Sequence, residues 1–301
     1  MDPILALAGF GVGVVVGLTG MGGGALMTPM LVLFFNVPPL AAVSSDLAAS
    51  AVMKPFGGFV HARRGTVNWS LVRWLCVGSV PAAFLGVLVM RALGDADQVQ
   101  HIVQYALAGA LLLAAVGLVL KAYTGRKKPQ GDGVVRVRRL PTALLGAVGG
   151  LVVGMTSVGS GSLIIVILLM LYPARRANDL VGTDLVQAIP LVAAAALGHA
   201  LFGDLKLDLA AAVLIGSVPG VLLGSRLSSR APAGVVRVAL VAVLLASAVK
   251  LFGAPGWVVI AVPGAVIVAA AGRFGWGALH ALQEKKRTRS GVSTEGATSW
   301  V

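Results

Sequence analysis

The chain contains itself twice. With an offset of 138 residues, Val43-Ser44-Ser45-Asp46-Leu47 lies over Val181-Gly182-Thr183-Asp184-Leu185, and His61 over His199. The same register places Gly78-Ser79-Val80-Pro81 on Gly216-Ser217-Val218-Pro219 and Leu85-Gly86 on Leu223-Gly224. After a one-residue slip, Gly17-Leu18-Thr19-Gly20-Met21-Gly22-Gly23-Gly24 matches Gly154-Met155-Thr156-Ser157-Val158-Gly159-Ser160-Gly161. Any fold for this sequence must therefore be built from two related halves, each with a glycine-rich stretch near its start.

The solvent for those halves is lipid. Charged residues make up 12% of the chain and mean hydropathy is +0.93, against roughly 25% charged residues in soluble domains. Leu71 to Met90, Ile102 to Leu120 and Gly256 to Gly272 are uninterrupted apolar stretches near the ~20 residues that cross a bilayer. The start, Met1-Asp2-Pro3, lacks the basic region of a cleaved signal peptide. The net charge of +13 sits in loops and tails, where membrane orientation accounts for it, so no nucleic-acid partner is expected. A single cysteine, Cys76, excludes an intrachain disulfide or a Cys-based zinc site. No metal or cofactor is expected.

Charge sets the topology. Residues 121–141 hold Lys121, Arg126, Lys127, Lys128, Arg136, Arg138 and Arg139 against one Asp and read as a cytoplasmic linker. Equivalent loops of the two copies carry opposite charge bias. Arg63 and Arg64 follow His61, whereas Asp204, Lys206 and Asp208 follow His199; Arg91, Asp95 and Asp97 stand against Arg226, Arg230 and Arg237. The copies are thus expected to run in opposite directions, with an odd number of passes each, the N-terminus outside and the C-terminus cytoplasmic.

The expected fold is an all-α integral membrane protein of two inverted-topology repeats with broken or re-entrant half-helices, plus one extra C-terminal helix. Residues 1–120 form the first repeat, 121–141 the basic linker, 142–253 the second repeat, 254–280 the extra helix and 281–301 a disordered basic tail. In each repeat the second apolar segment, Leu26 to Phe35 or Leu163 to Tyr172, is ten residues long. At 1.5 Å per residue that is about 15 Å, half the hydrocarbon thickness. Non-helical backbone at that depth must be buried in protein or line a polar cavity.

Both half-helices follow a glycine break, Gly22-Gly23-Gly24 or Gly159-Ser160-Gly161. A helix N-terminus has unpaired N–H groups and about half a positive charge, and glycine lets an anion approach that backbone. We read the breaks as an anion pocket, and Gly9, Gly13 and Gly17 as packing glycines. Asp46 and Asp184, the acidic residues inside apolar segments, have two readings of equal standing: braces for the loose backbone, or a relay for a proton or cation. Lys54 shares a helix face with Asp46 and Ser50; it charges the pocket or snorkels to an interface. His61 and His199 are read as interfacial or capping residues. The expected substrate-binding set is Thr19, Gly22, Gly23, Gly24, Ser45, Lys54, Thr156, Gly159, Ser160, Gly161 and Thr183, with Asp46 and Asp184 as coupling or structural carboxylates and no catalytic residue.

The stretch from Gly17 to Gly24 followed by Pro29, the duplicated Asp46 and Asp184 segments and the twin Gly-Ser-Val-Pro turns together resemble the sulfite exporter TauE/SafE family, also called the toluene sulfonate uptake permease family, over residues 4–255. The resemblance implies a multi-pass carrier of the bacterial-type cytoplasmic membrane for a small sulfur-containing anion such as sulfite, a sulfonate or sulfoacetate, usually exported. Ser157 and Ser160 stand where the first copy has glycines, and their hydroxyls are able to donate to a sulfonate oxygen.

The leading reading is therefore a secondary transporter that works by alternating access around the two breaks. No G-x-x-x-x-G-K-[ST] loop is present, which leaves a proton, an ion or the substrate gradient as the driving force. An anion channel with the same pocket is one alternative. Another is an intramembrane serine hydrolase using Ser160 and His199. A homo-oligomer is compatible with all three.

Overall fold

The computed structural model describes residues 3–19, 23–63, 65–92, 96–124, 137–161, 163–173, 175, 177–227 and 233–269. Gly22, most of the basic linker, and the tail from residue 270 onward lie outside them. The described chain is helical throughout: α1 (Pro3–Thr19), α2 (Gly24–Phe34), α3 (Pro39–Arg63), α4 (Trp69–Ala92), α5 (Ala96–Thr124), α6 (Arg139–Thr156), α7 (Leu163–Leu171), α8 (Ala177–Phe202), α9 (Leu207–Leu227) and α10 (Ala233–Leu251), followed by α11 (Gly256–Ala269). Six of them, α4, α5, α6, α8, α9 and α10, are long and apolar enough to cross a bilayer. α5 continues past its expected end at Leu120 to Thr124, and the next residue, Gly125, is a poor helix former.

Each repeat places its first helix against the fourth helix of the other. α1 packs along α9, and α6 packs along α4, in equivalent registers. Gly9 and Gly13 of α1 face the backbone of Val213 and Ser217, while Gly17 faces that of Val221 and Gly224. Gly146, Gly150 and Gly154 of α6 face Leu75, Ser79 and Ala83, the repeat counterparts of Val213, Ser217 and Val221. Small residues allow this approach, and van der Waals packing then holds helices that gain nothing from hydrophobic burial against lipid. The packing reading of Gly9, Gly13 and Gly17 agrees with this arrangement.

The twin Gly-Ser-Val-Pro segments are not turns, which corrects the expectation. They lie inside α4 and α9, where Gly78 and Gly216 meet the carbonyls of Ala143 and Ala6. Glycine and proline mark turns in water, but in lipid glycine marks a helix contact and the proline is carried within the span.

α3 and α8 pack against each other and carry most of the buried polar side chains. Ser44, Ser45, Asp46, Ser50 and Lys54 on α3, and Thr183, Asp184, Gln187 and His199 on α8, are buried. Around them lies an apolar shell that includes Leu47, Leu71, Leu75, Ile164, Leu168 and Leu191. Leu7, Leu113, Leu144, Val148, Leu197, Ile215 and Val243 point outward, as a lipid-facing surface requires.

Candidate functional site

The short helices have their expected length: α2 has 11 residues and α7 has 9, about 17 and 14 Å at 1.5 Å per residue. The second break is described from Ser157 to Gly161. α6 ends at Thr156, and Ser157 takes a left-handed conformation (φ 61°) with its N–H donating to Val153 O at 2.7 Å. The Thr156 hydroxyl donates to Val152 O at 2.7 Å and accepts from the Val158 N–H at 3.2 Å. Gly159 and Gly161 have φ of +132° and +91°, a region that other residues enter only with strain. Leu163 N–H then donates to Gly159 O at 3.0 Å and opens α7. The glycines at 159 and 161 are thus required by backbone conformation.

At the first break Gly23 is the N-cap of α2, with no side-chain hydrogen bond capping it. Its carbonyl accepts from Leu26 N–H at 3.0 Å and Met27 N–H at 2.8 Å. Gly24 lies directly on Ser157, so that a Cβ there would come within 2.8 Å of its carbonyl carbon. The two breaks therefore touch, and Gly24 is a packing residue. Gly23 has room, its nearest neighbours being the Met53 methyl, Asp46 Oδ1 and Ser50 Oγ at 3.6 to 4.0 Å from the position of a Cβ.

Side chains from both repeats tie this junction together. Asp46 Oδ2 accepts from the Thr28 hydroxyl of α2 and the Ser157 hydroxyl of the second break, both at 2.7 Å. Lys54 is buried and its ammonium donates to Ser160 Oγ. Asp184 Oδ2 accepts from the Gly161 N–H at 2.8 Å, its Oδ1 accepts from Gln187 Nε2 at 3.0 Å, and Gln187 Oε1 accepts from the Ser79 hydroxyl at 3.2 Å. Asp184 therefore does what the brace reading requires. The N–H of Gly161, expected to meet an anion, is occupied by an internal carboxylate at the start of α7, a position that suits negative charge.

Of the expected set, the structure brings together Gly23, Gly24, Asp46, Lys54, Gly159, Ser160, Gly161 and Asp184. The hydroxyls of the remaining described residues have other engagements. Thr19 donates to Val15 O and Val16 O in its own helix. Ser45 donates to Lys206 O at 3.4 Å, and Thr183 donates to Asp179 O while accepting from Asn68 N–H at the start of α4. Gly22 is not among the described residues.

His199 departs from its expected interfacial position. It is fully buried, with Nε2 donating to Gly154 O at 2.8 Å and Nδ1 paired with Ser44 Oγ at 2.7 Å. Both ring nitrogens are thus engaged by other groups, and neither pairs with Ser160 as the hydrolase alternative requires. His61 stays near the end of α3, half-buried, with Nδ1 at 3.0 Å from Thr66 Oγ1.

Thr28, Gln187 and Ser79 were not expected in the network. Gln187 follows Asp184 by three residues, the spacing of one helix face, and its polarity inside an apolar segment was the available signal. Thr28 carried no such mark. Removing one acceptor from this network has a calculable consequence. Asp184→Asn keeps a single acceptor oxygen for two donors, so one of the buried donors loses its partner, at a cost of about 1–3 kcal/mol. A lower melting temperature in detergent is expected.

The family model described as Sulfite exporter TauE/SafE matches residues 5–251. The chain is 38% identical over 255 residues to "Probable membrane transporter protein YjnA" of Bacillus subtilis (strain 168), covering 83% of this chain and 100% of that one. It is 26% identical over 240 residues to "Probable membrane transporter protein YdhB" of the same organism, covering 79% and 94%. "Probable membrane transporter protein MJ0441" of Methanocaldococcus jannaschii is 29% identical over 182 residues, 58% of this chain and 64% of that one. No solved structure matches. A match to the family model across this polar junction and the helices that frame it makes the chain a member of the TauE/SafE family of membrane transporters.

Proposed function

We propose that the protein is a secondary transporter of a small sulfur oxyanion, such as sulfite, a sulfonate or sulfoacetate, and that the anion binds where Lys54 meets the two breaks. The observation that carries this reading is the buried Lys54 ammonium of the first repeat bonded to Ser160 at the tip of the second repeat's half-helix. A buried ammonium is stable only with partners. Here its hydrogen-bond partner is a hydroxyl, with Asp46 and Asp184 in electrostatic reach, which leaves donor capacity for a guest. Ser160 Oγ and the start of α2 at Gly23, an N-cap that brings no side chain of its own, complete a set of donors suited to a tetrahedral or pyramidal oxyanion. Ser45, Thr183, Thr19 and Thr156 hold surrounding backbone in this reading.

The reciprocal packing of α1 on α9 and α6 on α4 supports inverted repeats, as does the opposite charge bias of equivalent loops. On this reading the chain lies in the cytoplasmic membrane with its C-terminus inside, and one half rocks against the other about the α3–α8 junction. The family's description as sulfite exporters favours an anion of that chemistry, while the relatives' names support a membrane transporter and no particular substrate.

Purified protein in liposomes should exchange radiolabelled sulfite or sulfoacetate in a saturable way with counterflow. Sulfate, thiosulfate and taurine complete the panel, and any ligand should also raise the melting temperature. Absence of flux and of stabilisation across all five would refute the reading, and unitary currents would replace the carrier with a channel.

A further inference from the structure

We infer that Asp46, and not its repeat counterpart Asp184, carries a proton that travels with the anion, and that it does so on Oδ1. This rests on the reading of the junction as an anion carrier's site.

The two carboxylates occupy equivalent places in the repeats but are used differently. Both oxygens of Asp184 are engaged, one by the Gly161 N–H and the other by the Gln187 amide. Asp46 is also fully buried, yet its two donors, Thr28 and Ser157, converge on Oδ2. Oδ1 is buried without a hydrogen-bond partner. The asymmetry follows from the sequence: the counterpart of Gln187 is Ala49, and that of Thr28 is Ile165. Duplication copied the acid but not its neighbours.

A carboxylate with one oxygen doubly satisfied and the other bare is matched to the neutral acid. Oδ2 then serves as the carbonyl oxygen that accepts two hydroxyls, and Oδ1 holds the proton. A hard cation fits this position poorly, since it calls for about six oxygen ligands. Oδ1, the Met53 methyl and the Ser50 hydroxyl all border the space beside Gly23, and no hydrogen bond closes on Oδ1.

The charged and titratable groups nearby are few. Lys54 lies on the same helix, and α8 contributes Asp184 and His199, the latter held by Ser44 and Gly154. α2 and the second break bring hydroxyls and backbone. α9 contacts α3 through Ser217, whose hydroxyl meets Met53 Sδ at 3.1 Å, and carries Asp208 and Arg226 at its ends; α5 has Asp97 and His101 in its first turns.

An anion at Lys54 and Gly23 would face Oδ1 across a short gap. Ionised Asp46 repels it and protonated Asp46 does not, so binding of the anion draws a proton onto Oδ1, and departure of the anion lets the proton leave to water on the same side. Proton and anion then move in the same direction. Asp184, whose charge is held by an N–H and an amide, stays fixed.

The test uses the full chain in liposomes with a trapped pH-sensitive dye, carrying radiolabelled sulfoacetate or sulfite. Wild type should drive net anion flux with a pH gradient and move protons alongside it. Asp46→Asn, which keeps an acceptor for Thr28 and Ser157, should lose gradient-driven flux and proton movement at least tenfold while retaining counterflow. Asp184→Asn should keep its proton-to-anion ratio, whatever its stability. Proton movement in Asp46→Asn, or loss of its counterflow with the fold intact, would overturn the inference, as would flux driven by sodium and not by pH. No counterflow in wild type would instead sink the anion reading on which the assignment depends. An infrared arm needs no substrate: acidification should produce a buried protonated-carboxyl band that is lost in Asp46→Asn and kept in Asp184→Asn. A band unchanged in Asp46→Asn, or none in wild type, refutes the proton site directly.

Discussion

Lys54→Met is expected to raise the anion concentration needed for half-maximal counterflow by about ten- to a hundredfold. A hydrogen bond to a charged group contributes about 1.5–3 kcal/mol, and every 1.4 kcal/mol is about tenfold in affinity. Methionine keeps an unbranched apolar stem along the path that the lysine follows out of α3, so the charge is the main thing removed. Two further consequences should accompany the loss. Ser160 Oγ no longer receives a hydrogen bond, and Asp46 and Asp184 lose the cation they share. Stabilisation of the folded protein by added anion should shrink in parallel with the transport affinity. If affinity and stabilisation both stay at wild-type values, the anion does not bind at Lys54, and the lysine is a structural partner of the second break.

Two adjacent glycines should respond in opposite ways. Gly24→Leu is expected to destabilise the protein by about 3 kcal/mol or more, the upper range for overpacking, because its Cβ would overlap the Ser157 carbonyl. That obstacle is backbone in a left-handed turn and cannot rotate aside. The variant should be recovered poorly in detergent and melt early. Gly23→Leu should stay folded, since a Cβ at that position meets neighbours only at ordinary contact distances, but should lose transport as the leucine fills the space beside Asp46 and Ser50. Equal stability of the two variants would mean that the breaks do not touch. Active Gly23→Leu protein would mean that the anion makes no close approach to the start of α2.

Much of the architecture was legible because lipid imposes simple rules. A spanning segment must be apolar and helical, so the stretch from Leu71 to Met90 located α4 to within two residues at each end. A ten-residue apolar stretch cannot span, so α2 and α7 were foreseen as half-helices. The glycine spacing in α1 foretold a close helix contact, although not that α9 would be the partner. The twin Gly-Ser-Val-Pro segments were misread, since the residues that break a helix in water are tolerated inside a membrane helix that is packed on its neighbour.

The junction was legible only in part. Asp46, Lys54, Ser160 and Asp184 stood out because polar groups in apolar segments are costly and must find partners. Which partners they find depends on distances across helices, which no local pattern encodes. Ser45 and Thr183 are immediate neighbours of the two carboxylates in the chain, yet successive side chains on a helix point about 100° apart, and theirs reach a loop carbonyl and the start of α4. His199 looked like a helix-end residue; it is buried because α3 and α6 converge on that end of α8.

The internal repeat, the hydropathy and the two ten-residue apolar stretches by themselves marked this chain as a duplicated, all-helical membrane protein with two half-helices and two acids within apolar segments, because a long apolar segment in lipid satisfies its backbone hydrogen bonds within its own helix. That the acids are unequal, that Gly24 packs while Gly23 stays open, and that Lys54 crosses to the other repeat came from the packing of helices remote in sequence. Burial makes each unpaired polar atom expensive, and the identity of its partner is a property of three-dimensional proximity.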